Sequence, residues 1–369
     1  MINFKEFYEI ILEGGAVGHM AHPFDLPQVK TGNDLIELFN KTVKSLTTNP
    51  GAIKIDGVNT SIKLVDAPDG GKEFALDRGS MKDLDIRGIR AKGIDPETGK
   101  SDLESRFTTK DGTPHGMIQT GGKVLAIFNS AIPSIETELK ALGLWKDKNI
   151  ILNMEYVSGK TNVQEYEGDF LAIHGLNKFE QVTPRRRASS EISFKAGPMK
   201  RMIDKLNPIA AEHGFKVLGS VDTQLEGEVD FSSALQERIT IKYNDDKEET
   251  RTLQGWLADA KNPFKQVVNL AGGGKDTAMT KKMYFAVMNG QNLLDIVDEK
   301  DVGWVVSGAV MYHATRTLGN VLLAAVNSEI GTADTQEGIV VRDKNIAKVP
   351  YKITGEFIVR GMESQFRQA

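Results

Sequence analysis

The residues with the clearest chemical potential lie near position 54. Lys54 ends a short apolar run and is followed by Asp56 and Gly57, before a second apolar run at 61–65. The pattern predicts a lysine amine at the mouth of a strand–turn–strand unit, where a phosphate can approach the backbone. A deprotonated amine attacks phosphorus, and a desolvated pocket or a metal cation lowers its pKa for that purpose. An ordinary hairpin with an exposed lysine is the alternative, because this short motif alone is common.

Four more groups of charged residues follow along the chain, each in or beside a predicted strand. They contain Arg78 in the run Asp77-Arg78-Gly79-Ser80, Glu155 in an apolar run, Glu337 and Arg342 at the two ends of another run, and finally Lys352. Each group alone is a weak signal, but five groups in this order are specific.

In this order the groups resemble the motifs of the covalent nucleotidyltransferase superfamily, which comprises DNA ligases, RNA ligases and mRNA capping enzymes. The run from Lys54 to Gly57 is similar to the nucleophile motif KxDG of that superfamily. Glu155 resembles the glutamate of the third motif, and the run from Glu337 to Arg342 resembles the EGxVxK/R strand. Lys352 resembles the lysine of the motif nearest the C-terminus.

Three further features favour the phage RNA ligases of the second type. Asn59 completes the pattern KxxGxN that those ligases carry, whereas DNA ligases and capping enzymes usually carry arginine at that place. The run from Arg78 to Ser80 is similar to their arginine motif, and the pair Glu155-Tyr156 resembles their glutamate–aromatic pair. A phage origin is therefore expected from the resemblance.

The resemblance implies a reaction. Lys54 would attack the α-phosphorus of ATP and expel pyrophosphate, which leaves AMP on the lysine. Lys352 and Arg342 would offset the charge that grows on the phosphate oxygens. Arg78 would bind the ribose or an incoming phosphate. The lysyl-AMP would then serve to join the 5′-phosphate and 3′-hydroxyl ends of a polynucleotide, of RNA in preference to DNA.

The resemblance also implies a cofactor site. ATP with Mg²⁺ or Mn²⁺ is the expected cofactor pair, and Glu155 and Glu337 would bind the metal directly or through water, since magnesium prefers oxygen ligands and keeps several waters. Asp56, Gly57 and Asn59 would line the nucleotide site. The place of the aromatic residue that stacks on adenine falls on Phe170 or Ile173, depending on the alignment.

One departure from the family pattern favours a rival interpretation. The last motif carries two lysines in the family, but Thr354 occupies the second place, with Lys348 and Arg360 as alternative cations. A nucleotide-binding protein that has lost catalysis is therefore one alternative. An ATP-dependent DNA ligase that seals nicks is the other, because it uses the same lysyl-AMP chemistry.

The elements that must position these residues indicate an α+β fold. We expect an ATP-grasp-like nucleotidyltransferase core of antiparallel sheets, with its first part at 1–195, including N-terminal helices, and its last strands at 331–369. The apolar pattern of residues 196–330 predicts a mainly helical insertion. Helical periodicity also starts at Asn33, which is a candidate N-cap. Since 12 residues follow Phe357, we expect no C-terminal OB domain.

Composition excludes some classes of protein and suggests a partner. The 369 residues include no cysteine, so disulfides and thiolate metal sites are excluded, and no apolar run is long enough to span a membrane. The expected location is the cytoplasm, that of the host if the chain is phage-encoded.

Between Thr183 and Lys205, seven residues are basic and two are acidic, although the net charge of the chain is −4. This segment, with Arg185 to Arg187, predicts a nucleic-acid contact, and a solvated loop is the alternative.

Overall fold

The computed structural model describes residues 20–55, 57–109, 111–157, 168–183, 186–220, 222–262, 284–327 and 337–356. These residues form two compact units. The first unit contains the described part of Ile55–Ser220, and the second contains Met20–Lys54 with the described part of Val221–Ala369. The predicted N-terminal helix at 1–15 and the candidate site residue Asp56 lie outside the described residues.

Strands and helices alternate along the chain. The strands are β1 Gly51–Lys54, β2 Val58–Asn59, β3 Ile62–Asp66, β4 Lys72–Leu76, β5 Ile150–Val157, β6 Asp169–Thr183, β7 Arg186–Ile192, β8 Phe215–Leu218, β9 Asp222–Leu225, β10 Arg238–Asn244, β11 Lys247–Thr252, β12 Val326–Asn327, β13 Gly338–Val341 and β14 Tyr351–Ile353. The α-helices are α1 Gly32–Leu46, α2 Asp83–Arg87, α3 Asp102–Phe107, α4 Met117–Ala141, α5 Ala196–Glu212, α6 Ser232–Leu235, α7 Leu253–Asp259 and α8 Glu299–Ala324, and residues 284–288 are also helical. Pro23–Asp25 and Leu293–Asp295 are short 3₁₀ turns.

The first unit is built on one sheet with the strand order β4-β3-β5-β6-β7, to which β2 and β8 add by pairing with β5 and β6. The described pairs are antiparallel except β6 with β8. Alternate residues such as Ile62, Leu152 and Ile173 are buried against α4 and α5 in the core of this unit. The residues between them, among them Lys63 and Glu155, lie on the opposite face, since successive side chains of a strand point to opposite faces.

The second unit contains a sheet with the strand order β12-β9-β1-β13-β14 and a separate β10–β11 hairpin. Its core packs α1, α7 and α8 with one face of that sheet, on which Ile339, Tyr351 and Ile353 are fully buried. The Tyr351 hydroxyl lies 2.6 Å from the Thr42 hydroxyl of α1, so the ring's polar end has a partner inside the core. This unit therefore fixes β1, β13 and β14 beside one another.

The α+β class with antiparallel sheets is confirmed. The predicted insertion, 196–330, contributes α5 and β8 to the first unit, and its other described elements belong to the second. The region 84–118 contains α2 and α3 and the start of α4, and Asp85, Asp102 and Leu103 are buried there. Within the described ranges, no helix combines the length and the apolar character needed to cross a membrane.

Helix α1 corrects the predicted N-cap. Thr31, two residues before the predicted Asn33, accepts a hydrogen bond from the Asp34 backbone N–H at 3.2 Å, and the Asp34 carboxylate accepts one from the Thr31 N–H at 2.9 Å. This reciprocal pair is a capping box, which satisfies two backbone donors at once. Asn33 is exposed in the first turn. The helix therefore begins earlier than the apolar periodicity alone suggests.

Thr31→Ala should lower the free energy of unfolding of the second unit by about 1 kcal/mol, because it leaves a helix-terminal N–H without its acceptor. Asn33→Ala is the matched control and should change it by less than about 0.5 kcal/mol. Denaturant unfolding of both variants measures the difference. Equal effects would contradict the assignment of Thr31 as the cap.

Candidate functional site

Three of the predicted site residues form one cluster in the second unit. The Lys54 ammonium lies 2.9 Å from Oε2 of Glu337, and the Lys352 ammonium lies 3.0 Å from Oε1 of the same carboxylate. The glutamate is buried, and both lysine side chains are largely buried, at 16 % exposure each. One buried carboxylate thus contacts two lysine ammonium groups that come from different strands.

The pairing of three strands creates this cluster. In the antiparallel register, Lys54 of β1 lies opposite Gly338 of β13, and Val340 lies opposite Lys352 of β14. The Glu337 N–H donates to the Lys54 carbonyl at 3.1 Å, which fixes the glutamate at the start of β13. Gly338 has a φ of 153°, and a Cβ there would lie 1.9 Å from the Ile353 carbonyl oxygen. Glycine after the glutamate is therefore required for the close approach of β14.

A segment that the sequence analysis overlooked lies beside Lys352. The Lys352 N–H donates to the Ala21 carbonyl at 2.8 Å, and Ala21 forms a parallel bridge with Tyr351. Asp25 follows within one turn, and its carboxylate accepts from the His22 N–H at 2.8 Å. Burial raises the Asp25 pKa to about 7, although the His22 N–H and the Lys352 charge oppose the shift. The pair His22 and Asp25 does not match the Ser/Thr-x-x-Glu/Gln pattern of a capping box, so there was no clear signal for this contact in the sequence.

The first unit contains the second set of predicted residues. Asn59 of β2 lies opposite Glu155 of β5, and Oε2 of Glu155 lies 3.4 Å from Nε2 of His174. His174 occupies an irregularity in the β5–β6 register, where the partner of Asn153 is Gly175 and the partner of the next residue is Ile173. An extra residue in one strand re-aims a side chain. The bulge thus places a histidine beside the predicted glutamate, which motif spacing does not reveal.

The close packing around position 57 explains why the lysine motif has a glycine there. A Cβ at this position would lie 2.9 Å from the Glu155 Cβ and 2.9 Å from the Tyr156 carbonyl oxygen. Such distances are shorter than real Cβ contacts, so a larger residue would push β2 away from β5. The glycine lets the chain after Lys54 pass close to the strand that carries Glu155.

The two candidates for adenine stacking differ in position. Ile173 is 1 % exposed and belongs to the core under the sheet. Phe170 lies opposite Val157, and Ala172 lies opposite Glu155, so Phe170 shares the face of the sheet with the glutamate. Strand alternation therefore selects Phe170 between the two.

The two predicted arginines have different surroundings. The Arg78 guanidinium donates a short hydrogen bond to the Asn59 carbonyl and lies 6.0 Å from the centre of the Phe107 ring. Burial lowers the Arg78 pKa, and the neighbouring Arg106 cation lowers it further. Arg342 is exposed directly after β13. Arg78 is thus held by the lysine-motif segment, whereas Arg342 lies at the surface of its own unit.

The two carboxylates predicted as magnesium ligands each contact cationic or imidazole side chains within their own unit. Both oxygens of Glu337 contact ammonium groups, which oppose the approach of a cation. Glu155 faces His174 and belongs to the other unit. In the part of the chain that the structure describes, no group of three or more His, Cys, Asp or Glu side chains is suited to hold a metal ion. Glu337 therefore fits charge pairing and does not fit direct metal ligation.

The predicted nucleic-acid run is largely paired with acidic residues. Arg187 forms two hydrogen bonds to the Asp77 carboxylate, and Lys200 pairs with Asp204. Glu138 of α4 pairs with both Arg201 and Lys205. Arg185 and the side chain of Arg186 lie outside the described residues. The local charge excess read from the sequence is therefore smaller than predicted, because Asp77 and Glu138 come from distant parts of the chain.

Comparisons of the chain with protein-family models, with curated proteins and with solved structures found no match. Any functional assignment therefore depends on the motifs and on the side-chain contacts described above.

The Asp25 carboxyl predicts a pH dependence of stability. Its pKa is about 7 in the folded state and about 3.8 when unperturbed, so between these values the folded state binds more protons than the unfolded state. The free energy of unfolding should therefore fall as pH rises through this window, by at most about 1.4 kcal/mol per pH unit. Asp25→Asn lacks this contribution, so its stability relative to wild type should increase from acidic to neutral pH.

Denaturant unfolding of wild type and Asp25→Asn across that window measures the effect. Asp246→Asn, which removes an exposed carboxylate from the turn between β10 and β11 of the same unit, is the control and should run parallel to wild type. If the Asp25→Asn curve also runs parallel to wild type, the carboxyl is charged in the folded state.

Proposed function

We propose that the protein is an ATP-dependent nucleotidyltransferase that links AMP to Lys54 and uses it to join polynucleotide ends, of RNA in preference to DNA. The observation that carries the proposal is the contact of Lys54 and Lys352 with the two oxygens of Glu337. Three separate motifs of the sequence supply these residues, and pairing of β1, β13 and β14 brings them within 3.0 Å of a common carboxylate.

The cluster supplies what the first step needs. A lysine must lose a proton before its amine can attack phosphorus. Oε2 of Glu337, at 2.9 Å, is placed to accept that proton. The Lys54 nitrogen then forms a bond to the α-phosphorus of ATP, the bond to the bridging oxygen breaks, and pyrophosphate leaves with that electron pair. Neutralised Glu337 no longer holds Lys352, whose ammonium can then offset the charge on the α-phosphate oxygens.

Two further phosphoryl-transfer steps follow, the first at the AMP phosphorus and the second at the 5′-phosphorus of the polynucleotide. An oxygen of a polynucleotide 5′-phosphate attacks the lysyl-AMP, which transfers AMP to the strand and restores the lysine. A 3′-hydroxyl then attacks the activated 5′-phosphorus, and AMP leaves. Arg78 is proposed to bind the 5′-phosphate. Magnesium enters as the counter-ion of ATP, and Asn59, Glu155 and Phe170 are proposed to contact the nucleotide.

Two alternative functions remain open beside this proposal. A DNA ligase would use the same chemistry on nicked DNA. A nucleotide-binding protein without catalysis is favoured by Thr354, which is 2 % exposed and whose hydroxyl has no hydrogen-bond partner among the described residues. Because threonine stands in place of the second lysine, this position supplies no cation to contact phosphate.

Incubation with α-labelled ATP and Mg²⁺ should label the wild-type protein covalently. Lys54→Ala should abolish labelling because it removes the attacking nitrogen. Glu337→Gln should reduce it by about 10²-fold, as expected when a preorganised charged group is lost. Lys344→Ala removes an exposed lysine from the same unit and should label normally. Label that persists in Lys54→Ala would show that the nucleophile is another residue.

Strand joining separates the remaining alternatives. Nicked duplexes made of RNA, of DNA and of RNA–DNA hybrids differ in groove shape and in 2′-hydroxyls, which proteins use to distinguish RNA from DNA. We expect faster sealing when the strands to be joined are RNA. Preferential sealing of DNA would support the DNA ligase, and nucleotide binding without label or sealing would support the non-catalytic protein.

A further inference from the structure

A buried carboxylate anchors the turn that carries Arg78. Asp77 has no exposed surface and accepts hydrogen bonds from the Lys63 ammonium at 2.7 Å and from the Gly79 N–H at 2.8 Å. Lys63, itself 2 % exposed, also donates to the backbone carbonyls of Asp85 and Ile86. Burial lowers the Lys63 pKa, and the Asp77 charge opposes that shift. The residue before Arg78 is thus fixed from the interior of the first unit.

Arg187 of β7 holds both ends of the same turn. Its guanidinium donates to the two Asp77 oxygens at 3.1 and 2.6 Å and to the Ser80 carbonyl at 2.7 Å. It also lies 4.5 Å from the centre of the Phe179 ring. One planar group therefore connects the residue before Arg78 with the last residue of the turn, and stacking fixes the orientation of that group.

A second buried carboxylate pairs with a further cation. Asp85 has no exposed surface, pairs with Arg106 at 3.1 Å, and accepts from the Arg78 backbone N–H at 3.2 Å. Lys63, Arg106 and Arg187 therefore each have a carboxylate partner. The Arg78 guanidinium has none among the described residues; its hydrogen bond goes to the Asn59 carbonyl. The four cations exceed the two carboxylates by two charges, and Arg78 is the one left to bind an added anion.

Stability alone does not account for this arrangement. A buried ion pair often contributes no more than well-packed apolar residues of similar volume, because desolvation offsets the attraction. The cluster instead fixes the geometry of the short turn that carries Arg78. Side chains that contact both ends of a turn reduce the number of conformations available to the residues between them.

We infer that Arg187 is a positioning residue, which clamps the turn from Asp77 to Ser80 so that Arg78 presents its guanidinium to the 5′-phosphate of a polynucleotide. The inference rests on the proposed function for the identity of the ligand. It replaces the direct nucleic-acid contact predicted for Arg187 from the sequence, because the guanidinium is occupied within the protein.

The test measures binding of one RNA oligonucleotide with and without a 5′-phosphate to the full-length protein in the absence of ATP. The ratio of the two dissociation constants is the phosphate discrimination. We expect about tenfold in wild type, as for one charge-assisted contact. Arg187→Met should bring the ratio close to one while the protein remains folded, as judged by circular dichroism.

A double-mutant cycle separates positioning from general stability. Arg78→Met should abolish discrimination, and adding Arg187→Met should then cause no further loss, because the two residues act on one contact. Arg251→Met is the matched control. Arg251 likewise pairs with carboxylates, Glu249 and Asp259, and lies 4.7 Å from the Trp256 ring, but it belongs to the second unit. It should leave discrimination unchanged.

Arg187→Lys keeps the inference testable if Arg187→Met does not fold. Lysine retains the charge but loses the planar fork and its stacking, so discrimination should fall several-fold. Unchanged discrimination in a folded Arg187→Met or Arg187→Lys variant, or no discrimination in wild type, would overturn the inference. Failure of Lys54 labelling is a separate result, because that assay needs no polynucleotide and this one needs no ATP.

Discussion

Glu337 lies between the ammonium groups of Lys54 and Lys352, and much of the molecule serves to keep it there. The carboxylate is buried, so removal of either lysine would leave a charge without water and with half its pairing. Its position depends on the hydrogen bond from its own N–H to the Lys54 carbonyl and on the close approach of β14 over Gly338. The sheet in turn depends on the core formed with α1 and α8. A shift of β13 by one residue would turn Glu337 to the other face of the sheet, and its contacts with both lysines would be lost.

The first unit follows the same principle with two buried carboxylates, Asp77 and Asp85. There, buried carboxylates organise cations, and the pairing leaves Arg78 without a carboxylate among the described residues. In the second unit, one carboxylate contacts the ammonium groups of two lysines. In each unit, internal pairing therefore fixes positively charged groups. Fixed positive groups of this kind stabilise phosphate charge without reorganisation during a reaction, which is how phosphoryl-transfer sites work.

The sequence predicted the features that depend on local pattern. The motifs identified Lys54, Glu337 and Lys352 before their contact was known, and apolar periodicity located α1. The α+β class was also predicted, from the resemblance together with the runs of strand and helix pattern. Motif alignment ignores the two-residue period of a strand, so it did not reveal that Ile173, one of the two candidates for adenine stacking, lies in the core.

Contacts between distant parts of the chain were beyond the sequence. Arg187 lies 110 residues from Asp77, so the basic run looked like a solvated or nucleic-acid-binding surface. Asp25 was missed because its proximity to Lys352 depends on a parallel bridge between Ala21 and Tyr351. His174 was missed because a bulge, and not a motif, places it beside its carboxylate partner. Pairing across long loops is not encoded in local composition, since it follows from the packing of whole elements.

The intact mass of the purified protein after incubation with ATP and Mg²⁺ tests the central claim most directly. The claim predicts a mass increase of one AMP, located on the peptide that contains Lys54, and reversal of that increase when pyrophosphate is added. An unchanged mass under these conditions, or AMP attached to a different residue, would contradict the assignment of the Lys54–Glu337–Lys352 cluster as a nucleotidyl-transfer site.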